Sequence, residues 1–277
     1  MKIQINPYRV GCLFLVSLVF SGCQTVQTTR GGAVGVDRMQ KMSVFTPSPA
    51  QVNEIATKQY LQIAQTAQKA GTLNRDLAQT KRVQGIAKRL IPHTVVFRDD
   101  ALSWKWEVNV LTSKEVNAWC MPGGKIAVYT GIIEQLKITD DEFAAVMGHE
   151  IAHALREHAR EGMGRQQATA LGTEIGSSLL KQMTGIDLGK LGNTFAQAMF
   201  VLPNGRENEQ ESDRIGVELA ARAGYDPRAS VSLWQKMAGG GAQPPEWLST
   251  HPSHETRIRD LTDYSQRVLP LYEKAKK

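Results

Sequence analysis

The stretch from Thr139 to Gly164 narrows the fold more than any other part of the chain, because it joins a strong helix start to His149-Glu150-Ile151-Ala152-His153. Thr139 and Glu142 have the spacing of a capping box, and Asp140 and Asp141 sit favourably in the first turn. The pattern predicts a helix from about Asp140 to about Glu161, ended by Gly162 and Gly164. Phe143, Val146 and Met147 give it an apolar face and so a place in a folded core. Within such a helix His149 and His153 stand about 6 Å apart along the axis and on one face. Two imidazoles so placed can share one Zn²⁺. Glu150 falls at the edge of the same face, where it can reach a water beside the metal rather than the metal. The plainer alternative is a pair of solvated histidines flanking a Glu, and the apolar face of the helix argues against it.

A third ligand has to come from elsewhere. His158 follows His149 by nine residues, whereas the extended three-histidine zinc pattern needs ten, with Gly where this chain has Arg156. With Arg156 and Arg160, His158 reads instead as a cation favoured by the C-terminal end of the helix. The dense acidic run is Arg206-Glu207-Asn208-Glu209-Gln210-Glu211-Ser212-Asp213. Glu209 and Asp213 share one helical face, which continues through Gly216, Ala220 and Ala223, small residues that let another helix come close. Glu211 points about 160° away from that row and reads as solvated. Glu209 is therefore the better third ligand. Asp213, one turn on, can accept a hydrogen bond from a ligating histidine and hold its tautomer.

These motifs, with Asn117-Ala118-Trp119-Cys120-Met121-Pro122-Gly123-Gly124 ahead of them, resemble the M48 (Ste24/HtpX-like) zinc metallopeptidases over about residues 50–265. The resemblance implies an α+β fold: a mainly helical, gluzincin-like zincin domain with a small β-sheet and an HExxH helix. It implies one Zn²⁺ per chain held by His149, His153 and Glu209, with Glu150 as catalytic base and Asp213 as a further catalytic residue, sometimes a proton donor. The strand and turn that contain Asn117, Ala118, Pro122, Gly123 and Gly124 would be an open edge that pairs with extended substrate. His251, in a His-Pro loop, either caps the last helix with Ser253 and His254 or, by the resemblance, lies near the zinc and keeps the enzyme latent.

The remaining chain reads as an address, a tether and the body of that domain. Lys2 and Arg9 precede an apolar run from Val10 to Phe20, too short to span a bilayer and suited to a secretory signal. Phe20-Ser21-Gly22-Cys23 resembles a lipobox, which would make residues 1–22 a signal peptide and Cys23 a lipidated N-terminus. Residues 23–47 then read as a lipidated N-terminus and flexible tether, and 48–270 as the peptidase domain. Ser48-Pro49 opens a helix that Gly71 ends, and a second helix stops at Pro92. Trp104 to Val110 alternates as a half-buried strand, and Lys125 to Thr130 reads as its hairpin or neighbouring partner. Further helices are expected within 165–202, from Asp226-Pro227 to about Met237, and near 254–268.

Lys and Arg exceed Asp and Glu by 33 to 27, but the basic residues are scattered and aromatics sparse, which speaks against nucleic acid. Of three cysteines, only Cys120 is left as a thiol, beside the expected substrate strand. The expected function is a zinc metalloendopeptidase acting on unfolded or misassembled cell-envelope proteins. The expected location is the bacterial envelope, as an outer-membrane lipoprotein facing the periplasm.

Overall fold

The computed structural model describes residues 23–173, 188–238, 246–252 and 255–277. The expected signal segment at 1–22, the centre of the 165–202 stretch, and Ser253 and His254 lie outside them. Helix α1 (Pro49–Lys69) begins as its sequence predicts: the Ser48 hydroxyl accepts from the Gln51 N–H and Gln51 Oε1 from the Ser48 N–H. Helix α2 (Leu77–Leu90) follows, and Pro92 falls in a short 3₁₀ turn after it.

Strands β3 (Glu107–Leu111), β4 (Ala118–Met121) and β5 (Lys125–Tyr129) form a sheet in the order β3-β5-β4. The turn Pro122-Gly123-Gly124 joins β4 to β5 as an antiparallel hairpin, with φ of +78° and +80° at the two glycines. Such angles are easy only for glycine. Strand β3 pairs with β5 in parallel, as a neighbour rather than a hairpin arm. The outer edge of β4 carries no further strand among the described residues.

Helices α3 (Thr130–Leu136) and α4 (Asp140–Leu155) come next, and the capping box of α4 forms: Thr139 Oγ1 accepts from the Glu142 N–H and Glu142 Oε2 from the Thr139 N–H. Its end corrects the sequence reading. The helix stops at Leu155, Glu157 is left-handed at φ +54°, and α5 (His158–Thr173) passes straight through Gly162 and Gly164. Ion pairs hold the break: Glu157 meets Arg98 at 2.7 Å and Arg160 at 2.6 Å. Helices α6 (Leu188–Phe200), α7 (Arg206–Arg222), α8 (Ala229–Ala238), α9 (Trp247–Thr250) and α10 (Glu255–Ala275) complete the body. No helix among the described residues is long and apolar enough to cross a membrane.

The site is positioned by the crossing of α4 and α7. A Cβ on Gly216 would lie 2.7 Å from the His149 nitrogen, and one on Gly148 2.7 Å from the Gly216 oxygen. Two glycines at the crossing therefore bring the backbones of the two helices together, as the small-residue face of α7 predicts.

Residues 23–47, expected as a flexible tether, are packed on the body instead. Strands β1 (Cys23–Val26) and β2 (Gln40–Ser43) pair antiparallel, and Val34, Val36 and Met42 are buried. Arg38 reaches Glu161 of α5 at 3.0 Å and Glu211 of α7 at 2.8 Å, and the Val34 N–H donates to Glu218 at 3.0 Å. The polar composition that suggests a tether supplies partners for charges in the body, so this segment is a strap.

Candidate metal centre

Helix α4 supplies His149, Glu150 and His153, helix α7 supplies Glu209 and Asp213, and the turn after α9 supplies His251. The first two are buried, His153 almost so, and Glu209 and His251 are buried as well. Four ligand atoms converge, all within 4.8 Å of one another. His149 Nε2 lies 3.0 Å from His153 Nε2, 3.1 Å from His251 Nδ1 and 3.4 Å from Glu209 Oε2. Glu209 Oε1 lies 3.3 Å from His153 Nε2 and 3.0 Å from His251 Nδ1. A tetrahedral ion with bonds of 2.0–2.1 Å would set its ligands roughly 3.3–3.4 Å apart. Three imidazoles and a carboxylate at these separations fit zinc in both donor chemistry and spacing.

Each of these groups is held from behind. His149 turns Nδ1 to Asp213 Oδ1 at 3.0 Å, which leaves Nε2 to face the centre. Burial alone would lower the His149 pKa, but the Asp213 and Glu209 carboxylates raise it to about 9. Fully buried Arg257 of α10 places Nη1 2.7 Å from Glu209 Oε2, and donates to both Asp213 oxygens at 2.7 Å. Burial opposes ionisation of Asp213, and the Arg257 charge together with the His149 hydrogen bond overcomes it, so its pKa is lowered.

Two assignments from the sequence are corrected here. His158 is the first residue of α5, at the positive end of a helix dipole rather than the negative end, so the argument for a stabilised cation reverses sign. It is buried, with Nδ1 2.9 Å from His153 Nδ1 and Nε2 3.0 Å from Glu211 Oε2, and burial lowers its pKa despite the carboxylate. Glu211 does face away from Glu209, yet that side of α7 is covered by the strap and by the α4–α5 corner. It is buried and paired with Arg38, Arg156 and His158. Burial pushes its pKa up, but these donors bring it to about 2.

Glu150 Oε1 accepts from the Trp247 indole N–H at 2.7 Å and lies 3.5 Å from His251 Nε2. Burial raises the Glu150 pKa, against the pull of His251 and His149. The Trp247 ring stacks on His251, 4.4 Å between centroids and 21° between planes. Spacing in the sequence does not reveal Trp247 or Arg257; their chemistry appears only once the fold brings them to the site. The single local sign is Trp247 four residues ahead of His251.

A cleft opens between β4 and the α9 turn, with Glu150, His153 and His251 in its wall. Of the residues expected to bind substrate, Asn117, Ala118 and Pro122 line it, whereas Gly124 lies in the turn and Gly123 lines a neighbouring depression. Cys120 also lines the cleft; its thiol is buried, and burial raises its pKa well above the usual thiol range.

A sequence model described as "Peptidase family M48" matches residues 77–265. Mitochondrial metalloendopeptidase OMA1 of Arabidopsis thaliana is 38% identical over 170 residues, covering 60% of this chain and 33% of that protein. Metalloendopeptidase OMA1 of Bos taurus is 36% identical over 182 residues, 61% of this chain and 34% of its own. The beta-barrel assembly-enhancing protease of Escherichia coli K12 is 28% identical over 200 residues, 69% of this chain and 40% of its own. The chain thus spans about a third of the length of the first two relatives.

Proposed function

The chain belongs to peptidase family M48, a family of zinc metallopeptidases, and on that premise we propose that it is a zinc metalloendopeptidase of the bacterial cell envelope. The observation that carries the reading is the convergence of His149, His153, Glu209 and His251, with Glu150 beside them in a cleft walled by an open strand edge. A zinc ion bound there supplies Lewis-acid polarisation of a water and of the scissile carbonyl. Glu150 takes the proton of the attacking water and passes it to the leaving amine, a task suited to a carboxylate whose pKa is raised by burial. Asp213 fixes the ring of His149. With both oxygens bonded to Arg257 it is ionised, so it orients rather than donates a proton. Strand β4 takes extended substrate by backbone hydrogen bonds, a sequence-tolerant mode suited to unfolded chains.

His251 stands at the fourth corner, which a catalytic zinc site keeps open. The arrangement is a resting one, and His251 leaves that corner when the enzyme works. His251→Ala should cleave faster; unchanged activity with unchanged zinc content would dismiss this role. Envelope location draws on the bacterial relative's name and on the lipobox-like Cys23, whose substitution by Ala should abolish fatty-acid labelling. Unfolded or misassembled outer-membrane proteins are the proposed substrates, met at the membrane to which the lipid holds the enzyme. The deciding experiment is proteolysis of casein and of an unfolded outer-membrane protein with and without chelator. Glu150→Gln should bind zinc one to one and lose at least about 10²-fold in rate; a variant that still degrades casein at the native rate refutes the mechanism.

A further inference from the structure

Behind His153 runs a buried chain of hydrogen bonds that this reaction does not use. His153 directs Nε2 towards His149 and Glu209, so its Nδ1 points away from the centre, 2.9 Å from His158 Nδ1. The far nitrogen of His158 lies 3.0 Å from Glu211 Oε2. Glu211 is held in turn by Arg38 at 2.8 Å and by Arg156 at 2.9 Å. His158, Glu211 and Arg156 are buried and His153 almost so.

The break between α4 and α5 makes this contact. In an uninterrupted helix residue 158 would be turned about 140° away from residue 153. The left-handed Glu157 brings His158 back over the His153 ring instead. The proton positions then follow. An imidazole that ligates through Nε2 carries its proton on Nδ1 and must donate it. His158 Nδ1 is the group at hydrogen-bonding distance, and it accepts only if its own proton is on Nε2, where it donates to the Glu211 carboxylate. In the reverse arrangement two N–H groups would face each other and Glu211 would lose that donor. The Ser212 hydroxyl, 3.4 Å from His158 Nδ1, is too distant to be a comparable partner.

We propose that His158 is a positioning residue of the metal centre. It fixes the ring and proton of His153 as Asp213 fixes those of His149, and through Glu211 and Arg38 it ties that ligand to the strap. The proposal rests on the reading of the cluster as a zinc site.

The first test uses zinc-loaded protein with ¹⁵N-labelled histidine rings. Long-range proton–nitrogen correlation should find His153 protonated at Nδ1 and His158 neutral, protonated at Nε2. A His158 proton on Nδ1, or on both nitrogens, overturns the proposal, and because no variant is involved, misfolding cannot obscure the result. The second test is competition for zinc with a chromophoric chelator. His158→Phe should bind zinc about 10–100-fold more weakly, and His158→Asn, whose amide oxygen can stand where Nδ1 stood, should recover part of the loss. Native zinc affinity in His158→Phe overturns the proposal while leaving the zinc site intact. Failure of the zinc reading itself looks different: the unaltered protein then takes up no zinc.

Discussion

At the scale of single residues, the proposed ligands His149, His153 and Glu209 and the proposed base Glu150 are residues whose spacing was legible. His149, Glu150 and His153 are set by one helix, and Glu209 with Asp213 by another, so a helical repeat predicts which of them share a face. Trp247 and Arg257 were not legible, because their role depends on where the chain returns in space and not on any local period. Trp247 gives a direct test of what the indole does. Its N–H stabilises the ionised form of Glu150, so Trp247→Phe, which keeps an aromatic ring against His251, should raise the Glu150 pKa further. The acid limb of the kcat/KM profile on a fluorogenic peptide should then move to higher pH, since the base must be ionised to act. A limb that stays in place would mean that the indole only packs.

At the scale of elements, the same helix shows what local sequence does and does not settle. Its start is written in four residues, Thr139 to Glu142, while its end depends on Arg98, more than fifty positions earlier, which pairs with Glu157. No local pattern encodes such a partner, and glycine spacing pointed to the wrong end. The start carries a pH dependence. Burial opposes ionisation of Glu142, but Lys236 at 2.6 Å, the Thr139 N–H and Ser232 hold its pKa below the ordinary carboxylate value. Its stabilisation is therefore complete above about pH 4.5 and fades as pH falls through the depressed value. Glu142→Gln should narrow the gap between melting temperatures measured at pH 7 and in acid. The helix crossing is less forgiving. In Gly216→Ala the new methyl meets the α4 backbone at His149, which cannot step aside as a side-chain end would. A loss of about 1–3 kcal/mol in urea unfolding, together with weaker zinc binding, is the expected outcome.

At the scale of the whole molecule, the segment of residues 23–47 packs as part of the body that carries the metal cluster. Its composition reads as linker because Gly, Thr and Gln are what linkers contain. The buried acids that give it a binding surface, Glu161, Glu211 and Glu218, lie well over a hundred residues away. Arg38→Ala strips a guanidinium from Glu161 and Glu211 while Arg156 still serves the latter. Thermal or urea unfolding should register a loss on the order of 2 kcal/mol, whereas a freely moving linker would register none. The fourth corner of the metal cluster, filled from the turn after α9, links two equilibria across this body. If His251 ligates the ion and leaves it in catalysis, as proposed, the open protein would hold its ion less firmly than the shut one, and by reciprocity the ion would favour the shut form to the same extent. On the proposed role of His251, the idle population would keep its metal where zinc is scarce and the working population would surrender it first, so scarcity of the metal would slow proteolysis without a separate inhibitor.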